Sequence, residues 1–225
     1  MCGRYTVTAE LDELVEVFDA PPLHGVDLGL PRYNVAPTQD APIVAVGRNG
    51  RRIAGFRWGL VPFWADDPSI GNRMINARSE SVATKPAFRR AFERRRCLVP
   101  ADGFYEWQRP ETGRGPKRPF WIHRPDERPF ALAGLWERWG AEEDPLLSFT
   151  VLTTRANDWM RPIHDRMPVL LPRETWERWL DRDSDTSELA DVLALPSEDA
   201  LVAREVGTLV NSPSNDGPGC IEAVG

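Results

Sequence analysis

Short apolar runs, broken at close intervals by turn-forming residues, most restrict what this chain can fold into. They lie at Pro42–Val46, Cys97–Val99, Phe104–Trp107, Phe120–His123, Phe130–Trp136, Phe149–Thr153 and Met167–Leu171. Runs of this length bounded by Gly, Pro, Asn and Asp read as strands. They do not alternate regularly with helices as in a parallel sheet, so the expected class is α+β, with a bent, barrel-like antiparallel sheet and flanking helices. The first helix is expected from about Ala9 to Phe18, because Leu11, Leu14, Val15 and Phe18 fall at helical spacing behind Thr8 as cap. Two more are expected at Arg173–Leu180 and Ser187–Ala194, and Pro110–Pro116 reads as a hairpin loop. A chain of 225 residues without internal repeats or a linker suits a single domain spanning residues 1–225.

Hydrophobic residues make up 41% and charged residues 28%, and no stretch approaches the length of a membrane span. The start, MCGRYTVT, lacks the apolar core of a secretory signal, so a cytoplasmic protein, monomeric and without membrane contact, is expected. Cys2, Cys97 and Cys220 are widely spaced and form no CxxC pair. They imply neither a disulfide framework nor a zinc site, and no cofactor is called for. The net charge of -6 conceals a basic segment: Arg48–Arg96 holds 12 Lys or Arg against 4 Asp or Glu. Its end, with Arg89, Arg90, Arg94, Arg95 and Arg96, could follow a phosphate backbone or be a solvated face.

The chemistry concentrates in a few short motifs. Cys2 follows the initiator methionine, and loss of Met1 would give one residue both an α-amine and a thiol, each with a reactive fraction near neutral pH. Such a 1,2-aminothiol suits an aldehyde: the amine forms an imine and the thiolate closes on it to give a thiazolidine. In Ile75–Glu80, an extended backbone would project Asn76, Arg78 and Glu80 to one face. Glu106 sits in an aromatic strand, Gly103–Trp107, where burial would raise its pKa and suit it to proton transfer; a surface-facing edge glutamate is the alternative. His164 and Arg166, in Ile163–Pro168, could transfer a proton and hold a phosphate, whereas His24 and His123 read as structural. Trp58 to Trp64 offers aromatic faces for unpaired bases, although Trp58 fits a core better.

Taken in order, these motifs resemble the SRAP family of SOS response-associated peptidases, which act as abasic-site sensors. The resemblance is carried by Met1–Tyr5, Arg32–Pro37, Trp58-Gly59 with Pro62, Asn76-Ala77-Arg78, Gly103–Trp107, His164–Pro168, and the tail Val210-Asn211 with Asn215-Asp216-Gly217. It implies that Cys2 crosslinks covalently to abasic sites in single-stranded DNA, and that Asn76, Glu106 and His164 complete the catalytic set. It further implies Arg4, Asn34, Trp64, Arg78, Thr153 and Arg166 as DNA contacts, Schiff-base chemistry of the lyase type, and a self-directed peptidase step that removes Met1. Ala65 stands where some members carry a second tryptophan. Three other readings remain: a cysteine protease pairing Cys2 with His164, a non-catalytic single-strand-binding module, and a small-molecule hydrolase.

Overall fold

The computed structural model describes residues 2–47, 50–110, 112–189, 191–193 and 200–225. Its strands are β1 (Tyr5–Val7), β2 (Arg32–Val35), β3 (Asp40–Gly47), β4 (Gly50–Trp58), β5 (Asn76–Arg78), β6 (Arg96–Ala101) and β7 (Gly103–Gln108). Next come β8 (Arg118–His123), β9 (Phe130–Trp139), β10 (Leu146–Arg155), β11 (Arg166–Pro168), β12 (Leu170–Leu171) and β13 (Val202–Glu205). The α-helices are α1 (Leu11–Phe18), α2 (Arg89–Arg94) and α3 (Trp176–Leu180).

The larger sheet closes on itself. Its order runs β10-β4-β3-β6-β9, and β9 pairs again with β10. An unbroken ring of hydrogen bonds abolishes strand edges, and its interior takes one side of every alternating strand. Trp58, Phe149, Ile43, Ile53, Leu98 and Leu132 fill the core, with the Trp58 and Phe149 rings stacked at 6.2 Å. The α+β class with a barrel-like sheet therefore stands, but the sheet is not wholly antiparallel: β10 runs parallel to both β4 and β5. Parallel neighbours need long connections, and residues 59–145 separate β4 from β10. The second sheet, β13-β8-β7-β1-β2, carries the N-terminal segment in its interior rather than at an edge.

Several local expectations shift. Helix α1 begins at Leu11 with Glu10 as N-cap, and no side chain caps it. Thr8 is drawn elsewhere, because the buried Asp102 carboxylate accepts from the Thr8 hydroxyl at 2.9 Å, from the Ala9 amide at 3.1 Å, and from the Thr6 hydroxyl and Thr8 amide. Arg173–Thr175 forms a 3-10 turn before α3. Of the helix expected at Ser187–Ala194, a 3-10 turn at Thr186–Leu189 is seen, while Ala190 and Ala194 lie outside the described residues. Met167–Leu171 divides at Val169, whose amide bonds Leu152 and whose carbonyl bonds Ala133, so the chain crosses from β10 to β9. The Pro110–Pro116 segment does join the β7–β8 hairpin.

Glycine is required at two junctions near the site. Gly59 has φ +126, and a Cβ there would lie 2.6 Å from the Gly71 carbonyl oxygen. A Cβ at Gly103, the first residue of β7, would meet Trp121 Nε1 at 2.0 Å. Among the described residues, no helix is long and apolar enough to cross a membrane.

Candidate active site

Strand β1 lies between β2 and β7, and the Tyr105 amide donates to the Arg4 carbonyl at 3.0 Å, so the residues just before β1 are held against β7. Cys2 is fully buried, not solvent-facing, and its thiol makes a weak 3.9 Å contact with the Arg4 carbonyl. Burial pushes the thiol pKa far up and the nearby Glu106 charge pushes it further, so the resting sulfur is protonated. Asn76, the first residue of β5, is fixed by pairing of that strand with Val151 to Thr153 of β10. Its side-chain amide donates to the Cys2 carbonyl at 2.7 Å.

Glu106 occupies the middle of β7 opposite Phe120 and is 2% exposed. Burial pushes its carboxyl up to about 7, poised between protonation states at neutral pH. The edge-surface alternative for Glu106 is therefore excluded. His164 follows the turn after Met160, and its Nε2 stands 3.8 Å from the Glu106 carboxyl. Its Nδ1 accepts from the Arg166 amide at 3.0 Å, and the exposed Asp165 carboxyl lies at a like distance. An accepting Nδ1 puts the proton of a neutral ring on Nε2, facing Glu106, and burial lowers the His164 pKa in keeping with neutrality. Two proton carriers and a buried thiol thus converge on residue 2. Among the described residues, no three His, Cys, Asp or Glu side chains converge as metal ligands would.

The residues that the resemblance makes DNA contacts divide into two groups. Trp64 is 48% exposed, and Arg78 is exposed beside Arg155, Arg161, Asp165 and Arg166 in a cleft of about 370 Å³. Arg166 reaches this cleft, but grips Glu80 through two bonds of 2.6 and 3.0 Å and also donates to the Thr153 carbonyl at 2.6 Å. Glu80 does not continue the extended face of Asn76 and Arg78, because Ser79–Ser81 turns into a 3-10 helix that brings Glu80 to Arg166. Thr153 is buried. Asn34 is also fully buried, and its amide donates to Val210, Ser212 and Asn215 carbonyls at 3.3, 3.0 and 2.7 Å. Arg4 donates to Asn34 at 3.0 Å and to the Val210 carbonyl at 2.7 Å. In this state, Arg4 and Asn34 tie the C-terminal segment to β1 and β2 instead of facing solvent.

Residues of the tail motif and of the β7–β8 hairpin complete the surroundings. Asp216 accepts from the Tyr33 and Asn34 amides at 2.5 and 2.9 Å and pairs with Arg32, which explains the acidic residue of the tail motif. Asn211 accepts from Trp107 Nε1 at 2.7 Å, so the tail also orients the tryptophan beside Glu106. Trp107, Arg109, Lys117 and Arg161 line a cleft of about 330 Å³ that includes His164. Arg109 and Lys117 lie at either end of the hairpin connection, so their convergence leaves no periodic signal in the sequence. His123 is structural as expected, stacked 3.9 Å from Trp121, and His24 is exposed.

With this geometry in view, comparison with known proteins is decisive. The profile of the family described as SOS response associated peptidase (SRAP) matches residues 1–213. The chain belongs to the SRAP family. Among relatives, the abasic site processing protein YoqW of Bacillus subtilis is 41% identical, covering 99% of this chain and 100% of that protein. The abasic site processing protein HMCES of Xenopus tropicalis is 30% identical, covering 100% of this chain and 78% of its own length. A crystal structure of a Bacteroides thetaiotaomicron protein superposes with a TM-score of 0.87 over 99% of this chain, and at 24% identity it supports the fold.

Proposed function

We propose that this SRAP protein recognises abasic sites in single-stranded DNA and crosslinks to them through Cys2 after Met1 is removed. The observation that carries the reading is the seat of residue 2: its carbonyl is held by Asn76 at 2.7 Å, beside a Glu106 carboxyl pushed up to about 7. A carboxyl at that pKa can give and take protons near neutrality, as imine formation requires. The similarity to YoqW and HMCES, both abasic site processing proteins, favours the same substrate.

The Cys2 α-amine adds to the open-chain aldehyde of the lesion, and loss of one water gives the imine. Protonated Glu106 supplies the proton that the departing hydroxyl needs, and neutral His164 assists opening of the sugar hemiacetal. The Cys2 thiol then adds across the C=N bond, carbon accepting sulfur and nitrogen accepting the proton, so the thiazolidine forms with no further change in mass. Closure removes the imine before it can eliminate the 3′ phosphate, which diverts lyase chemistry into a stable link. Removal of Met1 by the protein itself would draw on the same groups and fits the family's peptidase name.

The test is intact-mass analysis of protein beginning at Cys2, mixed with an oligonucleotide bearing one abasic site. The expected adduct equals the sum of the partners less one water and survives heat. Cys2→Ser should yield at most a labile or strand-cleaving product, and protein retaining Met1 should form no stable adduct. Full crosslinking by protein with a blocked α-amine would eliminate the thiazolidine and leave the Cys2 thiol as a plain nucleophile.

A further inference from the structure

Away from Cys2, the end of the basic segment builds a second charged feature. Arg90, Arg94 and Arg95, with Trp136, Arg138 and Arg182, surround a cavity of about 520 Å³, with Asp183 on its wall. Arg95 pairs with the buried Glu137 at 2.8 Å, while the exposed Asp183 approaches Arg94 at 3.7 Å. Five guanidinium groups therefore face two carboxylates, one of them buried. Backbone carbonyls hold several of these arginines in place: Arg94 donates to Arg182 at 3.2 Å, Arg138 to Glu142, and Arg182 to Val46. Each guanidinium carries five N–H donors in a planar fork suited to phosphate, so anchoring one arm leaves others to point outward. Arg96, by contrast, is buried and spends its donors on the Trp179, Phe92, Glu93 and Asp181 carbonyls, so it cannot serve as a phosphate contact.

The cavity borders exposed aromatic surface. The Arg90 guanidinium lies 4.3 Å over the ring of Phe63, which is 46% exposed and adjoins the exposed Trp64. The same loop is tied to the site strand, since the Leu60 amide donates to the Met74 carbonyl, two residues before Asn76. Faces on which bases can stack therefore stand beside clustered guanidinium groups, on a loop hydrogen-bonded to the strand segment that carries Asn76. That arrangement of features matches a binding track for a single strand.

We propose that this arginine cavity is a second phosphate subsite, holding the backbone of the single strand that leads away from the lesion past Phe63 and Trp64. The inference rests on the proposed DNA-binding function and extends it to strand length: the cavity contributes to affinity for long strands and leaves the chemistry at Cys2 unchanged. The phosphates of the bound strand would also give anionic partners to like charges that otherwise repel one another.

The test uses the full chain and undamaged oligothymidylate of about 4 and about 16 nucleotides, lengths bracketing what one single-strand-binding fold covers. Combined Arg90→Gln, Arg94→Gln and Arg182→Gln should weaken binding of the long strand by about tenfold or more, and lower its salt slope by about 2, at about 0.7 per phosphate contact. Binding of the short strand, the crosslinking rate at saturating damaged DNA and the melting temperature should match the parent. Lysine at the same three positions should restore most of the long-strand affinity. Arg89→Gln, an exposed arginine on the same helix outside the cavity wall, should change nothing. Equal long-strand affinity in parent and triple variant would overturn the subsite, as would equal loss for both lengths. A parent that bound neither length would instead bring down the DNA-binding reading on which the subsite rests.

Discussion

Replacing Glu106 by glutamine should disable the chemistry and stabilise the fold, with a pH dependence that follows from one buried carboxyl. Burial shifts its pKa from 4.5 to about 7. Between those values, the folded chain holds a proton that the unfolded chain has released, so this group favours folding less as pH rises. Its contribution is complete below the unfolded pKa and is lost as pH climbs through the folded one. At about 1.4 kcal/mol per pH unit over about 2.5 units, the ionised carboxylate costs the native state about 3 kcal/mol at pH 8. Glu106 is 2% exposed, so solvent screening gives little relief. Glutamine keeps the shape and cannot ionise, so Glu106→Gln should match the parent near pH 4 and exceed it by about 3 kcal/mol near pH 8. For a chain of this size, the gain corresponds to about 10 °C in melting temperature. Urea denaturation at the two pH values measures the difference, and His164 largely cancels because both proteins contain it. Single-turnover crosslinking should fall by about 10²- to 10⁴-fold, the range for loss of a general acid or base. An equal stability difference at both pH values, or a parent more stable at pH 8, would refute the assignment of a buried, neutral-pH carboxyl to Glu106.

Other expectations follow from neighbouring contacts. His164→Ala should leave the fold intact, slow crosslinking by about 10²-fold or more, and remove the part of the pH–rate profile that Glu106→Gln leaves behind; parent-like kinetics at every pH would return His164 to a structural role. Asn34→Ala removes donors from three tail carbonyls in a buried setting and should cost about 2–4 kcal/mol in urea denaturation. The same variant should alter Trp107 fluorescence as the Asn211 contact loosens, and a loss below about 1 kcal/mol would show that the tail is held elsewhere.

The parts of the fold written in local sequence were legible. Runs such as Phe130–Trp136 and Phe149–Thr153 became β9 and β10, because strand signals need only neighbouring residues. The extended backbone expected around Asn76–Arg78 became β5, while Tyr5–Val7 and Arg32–Val35 escaped notice as strands. They are short, and their extended state depends on partners distant in sequence, with Tyr5 pairing both Val35 and Phe104. The Thr8 cap failed for a related reason: Asp102, remote along the chain, offers its hydroxyl and amide a charged acceptor that a local cap cannot match. Site chemistry was visible as residue types at Cys2, Asn76, Glu106 and His164. The division of the arginines was not, since only packing separates buried Arg96 and tail-bound Arg4 from exposed Arg78.

Burial of Cys2 also gives the proposed reaction an order. A protonated thiol in a closed pocket, its pKa raised by burial and by Glu106, is a poor first nucleophile and a poor protease nucleophile. Imine formation at the α-amine changes that setting. The imine carbon is then bonded to the nitrogen of the same residue, so sulfur attacks within one small ring and needs no free thiolate population. Transfer of its proton to the imine nitrogen, through a Glu106 carboxylate titrating near 7, removes the charge that burial opposes. The same pocket that keeps the thiol inert towards other electrophiles therefore favours its capture by an aldehyde already held on the amine. On this reading, selectivity for abasic sites comes from the sequence amine first, thiol second, and a small thiol-directed alkylating reagent should label Cys2 far more slowly than an aldehyde substrate consumes it.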